Sequence, residues 1–156
     1  MKGRKRHILV DTQGFVLKAL VHPADVSESE GGQQFLAGIL SEFPRLAHLW
    51  ADQGYKAAFV AWVQQHLGWS IEIVKNLQPP RGDTGAAIRD LLGDEEFERR
   101  WPKGFQLLPH RWIVERTFAW LGKHRRLSKD YEGLPQTTEA WIYLAMARLM
   151  LRRLSC

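Results

Sequence analysis

The chain has 156 residues and a mass of 18.0 kDa, and 45% of its residues are apolar while 25% are charged. This size and composition predict one folded domain with a core and exclude a disordered chain. The longest apolar run, residues 141–151, contains Arg148 and is too short to span a membrane, and no secretory signal is recognised at the N-terminus. The single cysteine, Cys156, excludes an internal disulfide and a cysteine-based zinc site, which favours a cytoplasmic setting.

The formal net charge of +5 is unevenly distributed along the chain. Residues 1–110 carry 13 basic and 13 acidic side chains, whereas residues 111–156 carry 9 basic and 4 acidic ones. A separate basic cluster lies near the N-terminus and consists of Lys2, Arg4, Lys5 and Arg6. Two basic patches indicate a polyanionic partner such as nucleic acid, although a solvated charged face explains them equally well.

The first half of the chain alternates between strand and helix patterns. Two β-prone runs at 7–11 and 15–21, separated by a loop that ends in Gly14, predict a hairpin. Helical periodicity predicts one helix over 29–43, ended by Pro44. A buried strand is predicted at 46–51, a helix at 56–67 capped by Gly68, and an alternating strand at 70–75.

The second half is predicted to be mainly helical. Residues 78–85 are rich in turn formers and predict a loop, and 86–106 are ambiguous but compatible with one short helix. A long helix is predicted from 109 to 127 and another from 137 to 154, the second with Thr137 and Thr138 as capping candidates. This order of elements favours an α/β fold, a three-layer sandwich with two C-terminal helices.

Asp52 directly follows a predicted buried strand, and ligand sites of open α/β sheets lie beyond the carboxyl ends of strands. A carboxylate there is held rigidly and can face a metal ion. The alternative is that Asp52 only turns the chain or caps the following helix.

Glu115 lies on a predicted helix, on the same face as Arg111 and next to an apolar stripe that predicts poor solvation. The alternative is a simple ion pair with Arg111. A basic run near the same helix would suit a phosphate backbone bound close to a metal, and consists of Lys123, His124, Arg125, Arg126 and Lys129. Asp52 and Glu115 together could hold Mg²⁺ for phosphoryl transfer.

Other candidate residues are weaker. The six histidines show no zinc-protease spacing, and no nucleophile elbow, phosphate loop or dinucleotide fingerprint is present. Asp11, Asp25 and Glu28 could each join a metal site, although a turn or surface role is favoured for each. Most of the tryptophans are predicted to be core residues, namely Trp50, Trp62, Trp69, Trp112, Trp120 and Trp141.

Five stretches of the chain resemble the catalytic domain of insertion-sequence transposases with the acidic DDE triad, in the insertion-sequence 4/5 superfamily. These stretches are residues 2–14, 22–26, 50–55, 111–121 and 125–132. The stretch Arg-Trp-Ile-Val-Glu-Arg-Thr-Phe-Ala-Trp at 111–120 is the most specific part of this resemblance. The resemblance implies a ribonuclease-H-like fold over residues 1–156 and metal-dependent cleavage of transposon ends with strand transfer into target DNA. It also implies Mg²⁺ or Mn²⁺ as cofactor, DNA as partner and a homo-oligomer at the bacterial nucleoid.

Carried over by residue, Asp52 resembles the second triad aspartate, Glu115 the triad glutamate and Arg111 the arginine four residues before it. Asp52 and Glu115 would then be the metal ligands. The DNA-binding candidates are Lys2, Arg4, Lys5, Arg6, Lys123, Arg125, Arg126 and Lys129. The family's lysine seven residues after the glutamate is replaced here by Gly122, with Lys123 next.

The first triad aspartate of the family belongs to a strand before the hairpin, and this chain begins at the hairpin. We therefore expect a partial catalytic domain that is truncated or joined by a frameshift to an upstream reading-frame product. A second hypothesis is an inactive DNA-binding remnant or regulator of transposition. A third is a nuclease in which Asp11 or Asp25 replaces the missing acid.

Overall fold

The computed structural model describes residues 3–74, 79–80, 82–101 and 110–155. The chain divides into two compact units, one formed by residues 1–74 with 109–156 and the other by residues 75–108. Lys2 and the predicted helix start at position 109 lie outside the described residues.

A β-hairpin opens the first unit, as the sequence predicts. Strand β1 (Arg4–Val10) pairs antiparallel with strand β2 (Val16–Pro23), and a bulge interrupts the register after Leu9. Asp11 closes the turn, because its Oδ1 accepts hydrogen bonds from two backbone N–H groups of the loop, each at 2.9 Å. Gly14 has φ of 86°, a left-handed conformation that favours glycine.

The helical region after the hairpin differs from the prediction of one helix. Helix α1 (Glu28–Leu36) ends before a short helix α2 (Ile39–Glu42) begins. The break is at Gly38, whose φ of 74° lies in the left-handed region and cannot continue a right-handed helix. Apolar periodicity continues across the break, which is why the sequence pattern conceals it.

A strand–helix–strand unit follows and confirms the predicted order. Strand β3 (His48–Asp52) leads into helix α3 (Ala57–Leu67), which returns to strand β4 (Ser70–Val74). The two strands pair in parallel, with His48 opposite Ser70. Gly68 ends α3 in a left-handed conformation, as predicted from its position.

Three helices, rather than the two expected, complete the first unit. They are α6 (Arg111–Gly122), α7 (Arg125–Ser128) and α8 (Pro135–Leu154). The predicted continuous helix to residue 127 is wrong because His124 adopts an extended conformation with ψ of 122°. Of the two capping candidates, Thr138 is buried in α8 and donates instead to Asp130 at 3.0 Å.

Helices pack on both faces of the hairpin. One core joins the hairpin to α1, α2, β3 and α3 and contains Leu9, Phe35, Leu36, Ile39, Ala51, Phe59, Val63 and Trp69. The other joins it to α6, α7 and α8 and contains Val16, Ala19, Val21, Leu121, Leu127, Ile142, Ala145 and Met146. Alternate strand residues point to opposite faces, so one hairpin supplies both cores.

The second unit contains helices α4 (Asp83–Leu92) and α5 (Asp94–Arg100). Residues 83–85, predicted as loop, belong to a helix, and the single short helix predicted within 86–106 is two helices. Gly93, with φ of 76°, separates them. Phe97 is buried, with the Arg89 guanidinium 4.6 Å from its ring centre. Within the described ranges of the whole chain, no helix is both long and apolar enough to cross a membrane.

Candidate metal and nucleic-acid site

The two carboxylates singled out from the sequence line the same cavity of about 330 Å³ in the first unit, here called the site cavity. Asp52 approaches it from the carboxyl end of β3, and Glu115 from α6. Arg6, Tyr55 and Arg111 also line it. Residues more than sixty positions apart in the chain therefore face one space.

Asp52 is fixed by the turn that follows β3. Its Oδ1 accepts a hydrogen bond from the Gly54 N–H at 2.6 Å, and its carbonyl oxygen accepts one from the Tyr55 N–H at 3.1 Å. The turn role considered from the sequence is thus present. The other carboxylate oxygen, Oδ2, makes no hydrogen bond to any residue that the structure describes, so it can serve as a ligand.

Glu115 is more exposed than its sequence position suggests. Its side chain retains 61% of its accessible surface, which contradicts the expectation of poor solvation. The buried residues of α6 are Thr117 and Leu121, and Glu115 lies about 200° around the helix from Thr117. Arg111 Nε donates to Glu115 Oε1 at 2.9 Å, so the ion pair considered as an alternative is formed and orients the carboxylate.

A buried histidine pair lies beside the site cavity and is not predicted by any motif. The rings of His7 and His22 stack at 4.6 Å, and His7 Nδ1 forms a hydrogen bond with the Tyr55 hydroxyl. Burial, assisted by His22 and Lys5 and opposed by Glu28, lowers the pKa of His7 to about 4. The register of the hairpin places the two histidines on diagonal positions of one face. A correct prediction of that register is what would have brought them together from the sequence.

The free energy of unfolding should therefore fall as the pH decreases between the pKa of His7 in the unfolded chain and its pKa in the folded chain. In the unfolded chain His7 binds a proton near pH 6.5, whereas in the folded chain it does so near pH 4. The unfolded state binds more protons between these values, so we expect the free energy of unfolding to decrease from pH 6.5 to 4, by about 2 kcal/mol.

Urea denaturation of the wild type and of His7→Gln across pH 4 to 7 measures this contribution. Glutamine can still accept from or donate to Tyr55 but does not titrate. A variant with the same pH slope as the wild type would contradict the assignment to His7.

Four of the eight basic residues predicted to bind DNA are engaged within the fold. Arg4 pairs with Asp130 at 3.4 Å, and Lys5 pairs with Glu28 at 3.0 Å. Arg6 donates to the carbonyl oxygen of Leu127 at 2.9 Å, and Arg126 pairs with Glu132 at 3.0 Å. Arg4 and Arg6 thereby join segments more than 120 residues apart, whereas the Arg126 pair is local. All four side chains already have partners within the fold.

Lys123, Arg125 and Lys129 form a different class, here called the free basic set. All three side chains are exposed, and none has an ion-pair partner among the described residues. They follow α6, the helix that carries Glu115. Cations without partners cost little to redirect toward a phosphate backbone.

The tryptophans depart from the expectation that most are core residues. Among the candidates only Trp69 is fully buried, at 4% exposure, whereas Trp50 and Trp112 each expose more than a third of their surface. Trp50 stacks on His110 with ring centres 4.0 Å apart. The Arg116 guanidinium lies over Trp112 at 4.2 Å.

The three alternative acids do not line the site cavity, but Glu28 lies near Asp52, because a Cβ at Gly54 would be 2.9 Å from Asp52 Oδ1 and 3.3 Å from Glu28 Cγ. Asp11 closes the hairpin turn, Glu28 pairs with Lys5, and neither these two nor Asp25 lines the site cavity. In the part of the chain that the structure describes, no three histidine, cysteine or carboxylate side chains are grouped to hold a metal. Among the described residues, Asp52 and Glu115 are the two acidic side chains that line the site cavity.

The family model described as the transposase DDE domain matches residues 1–150. The chain therefore belongs to the transposase DDE domain family, whose members act in DNA transposition and generally depend on divalent metals. No curated protein and no solved structure matches the chain.

Proposed function

We propose that residues 1–156 form part of the catalytic domain of an insertion-sequence transposase of the insertion-sequence 4/5 superfamily, with a ribonuclease-H-like three-layer fold. The reaction is metal-dependent cleavage of transposon ends followed by strand transfer into target DNA. The observation that carries the proposal is that Asp52 and Glu115, from different elements, line one cavity. The helices on both faces of the hairpin support the three-layer arrangement.

The residues present fit a divalent metal. Mg²⁺ accepts one or two carboxylates when the substrate's phosphates and water complete its ligand shell, and Asp52 and Glu115 offer that number. Bound Mg²⁺ or Mn²⁺ would activate a hydroxyl and stabilise the leaving oxygen of phosphoryl transfer. Arg111 holds the Glu115 carboxylate in place, and the Gly54 N–H holds that of Asp52.

The third acid of the triad is assigned in this proposal to a segment outside the described residues, such as an upstream reading-frame product. Strand transfer then requires an assembly at the bacterial nucleoid, with homo-oligomers of the domain on DNA. Purified residues 1–156 should bind DNA but should not complete strand transfer. Strand transfer by this chain alone would contradict the partial-domain proposal.

DNA binding by the chain should depend steeply on salt through the free basic set. Each phosphate contact that is lost should reduce the slope of log K against log salt by about 1. We expect Lys123→Ala, Arg125→Ala and Lys129→Ala each to reduce the slope by about that amount, measured by fluorescence anisotropy with a duplex at several salt concentrations.

Lys56→Ala is the matched control, because Lys56 is an exposed lysine that does not belong to either basic patch. Its slope should equal that of the wild type. Equal reductions for Lys56→Ala and Lys123→Ala would show a diffuse charge effect and would contradict a DNA surface at the free basic set.

A second candidate function, an inactive DNA-binding remnant or regulator of transposition, is favoured by the unpartnered cations of the free basic set. The two candidates differ in the role of Asp52. In a remnant, Asp52→Ala leaves both DNA binding and its Mg²⁺ dependence unchanged. In the catalytic domain, the same substitution removes the part of DNA affinity that Mg²⁺ adds.

A further inference from the structure

The last helix of the fold has one apolar face inside the domain. The buried residues of α8 are Thr138, Ile142, Ala145 and Met146, and the last three belong to the core that α8 forms with the hairpin. A helix on the surface of a domain ordinarily carries polar side chains on the face opposite its buried stripe. That pattern predicts a polar outer face for α8.

The outer face of α8 is apolar instead. Leu144, Leu151 and Leu154 are 58%, 66% and 84% exposed, and Ala140 is exposed beside them. At about 100° per residue, this face lies about 180° around the helix from Ile142. The described part of the chain therefore leaves an apolar helix face uncovered.

The residues of this outer face follow the spacing of a coiled coil. Successive members are separated by four, three, four and three residues, which is the spacing of a and d positions in a heptad. The members are Ala140, Leu144, Ala147, Leu151 and Leu154, here called the α8 seam. This spacing is the one by which two helices pack side by side along their length.

The order of large and small side chains along the α8 seam matches a reversed copy of itself. When a second α8 is laid antiparallel with Leu144 opposite Ala147, every leucine of the seam faces a small side chain. The pairs formed are Leu144 with Ala147, Leu151 with Ala140, and Leu154 with Thr137. Large residues opposite small ones interdigitate closely, whereas a parallel copy in register would set leucine against leucine and leave gaps between alanines.

The charges of α8 favour the same direction of packing. Arg148, Arg152 and Arg153 all lie towards the C-terminal end of the helix. A parallel pair would gather the arginines of both helices at one end, where they repel each other. An antiparallel pair places them at opposite ends and sets each negative helix C-terminus beside a positive N-terminus.

We propose that the α8 seam is the contact surface of a two-fold symmetric homodimer, in which the α8 helices of two copies pack antiparallel. A two-fold contact uses the same patch on both copies, and the seam is complementary to its own reverse. The inference names a surface for the homo-oligomer proposed above, and it rests on helix packing rather than on metal or DNA chemistry.

The length of the α8 seam sets the expected strength of the dimer. Residues 137–154 span about 27 Å of helix. One pair of helices of this length buries less than the roughly 800 Å² per partner of a standard interface, so the dimer should be weak. We expect a dissociation constant on the order of 10 μM.

Sedimentation equilibrium of the full chain, without DNA or divalent metal, tests the surface. Leu151→Glu should raise the dissociation constant about 100-fold, because in a symmetric dimer one substitution removes two seam contacts. Leu91→Glu is the matched control, since Leu91 is 83% exposed but lies on α4, outside the seam. Its dissociation constant should equal that of the wild type.

Disulfide trapping tests the direction of packing. Ala140→Cys and Leu151→Cys are made separately, each with Cys156→Ser, and the two variants are mixed under oxidising conditions. The antiparallel register brings position 140 of one copy against position 151 of the other and holds the two copies of position 140 about 16 Å apart, too far for a disulfide. We expect the mixed disulfide to predominate over both symmetric ones.

Three results would overturn the proposal. The first is a wild-type chain that stays monomeric at about 300 μM, far above the expected dissociation constant. The second is a dimer weakened equally by Leu151→Glu and Leu91→Glu, which would place the contact elsewhere. The third is a predominance of the symmetric disulfides, which would indicate parallel helices. Because no DNA or metal is present, each result leaves the proposed strand-transfer function to its own test.

Discussion

Replacement of Asp52 by Asn or of Glu115 by Gln is expected to remove divalent-metal binding and to lower strand transfer about 10³-fold, or roughly 4 kcal/mol of transition-state stabilisation. Each substitution keeps the size of the side chain and removes its negative charge. Both carboxylates line the site cavity, and a single remaining acid is a poor match for Mg²⁺, which gives up water reluctantly.

Two measurements check this result. Mn²⁺ binding to the full chain, followed by titration calorimetry in the presence of DNA, should be lost in both variants. Strand transfer is measured in an assembly that supplies the third acid of the triad. The chain should remain folded, because Asp52 and Glu115 are both exposed.

Glu42→Gln is the matched control for Glu115→Gln. Glu42 also forms an ion pair, with Lys18, and is 46% exposed, but it does not line the site cavity. Its metal affinity should equal that of the wild type. Full Mn²⁺ affinity in Asp52→Asn and Glu115→Gln would refute the assignment of these residues as ligands.

Gly31→Ala is expected to destabilise the fold by roughly 2 kcal/mol, although alanine favours helix more than glycine does. A Cβ at Gly31 would lie 2.4 Å from His22 Nε2 and 2.7 Å from His7 Nε2. Those rings cannot move aside freely, because they stack on each other and each is bonded through Nδ1, to Tyr55 and to the Pro23 carbonyl.

Gly122→Ala provides the contrasting substitution. Gly122 is also helical, but a Cβ there meets no atom within 4 Å, so the helix propensity of alanine should stabilise the chain by about 0.5 kcal/mol. Thermal unfolding of both variants should show a Tm about 6 °C lower for Gly31→Ala and slightly higher for Gly122→Ala. A Tm for Gly31→Ala at or above that of the wild type would contradict the packing described.

The elements with short-range signals could be predicted from the sequence. Alternation and the loop ending in Gly14 gave the hairpin, and the left-handed cap at Gly68 ended α3 where predicted. The breaks in the helices could not be predicted, because the apolar periodicity continues through Gly38 and through His124 without interruption. Backbone conformation at one residue, rather than hydrophobic pattern, decides these boundaries.

The sequence predicted the two acidic residues of the candidate site but not the environment of their side chains. The position of Asp52 at a strand end and of Glu115 on a helix face could be predicted from the sequence. That the two residues line one cavity depends on the tertiary structure and could not. The exposure of Glu115 was misjudged because the buried residues of α6 are Thr117 and Leu121, and Glu115 lies about 200° around the helix from Thr117. The engagement of Arg4, Lys5 and Arg6 with distant groups depends on contacts as far as 129 residues away in the chain.

The attachment of α6 to the hairpin turn has a consequence for folding kinetics. Thr117 donates to the Gly14 carbonyl at 2.7 Å, and Arg116 donates to the Gln13 carbonyl at 2.7 Å, each across 103 residues of sequence. Contacts of such high contact order require a large loop to close, and they slow the search for the native state. Glu115 precedes these two anchors in α6 and can share a cavity with Asp52 only after this long-range closure. We therefore expect the two acids to come together late in folding.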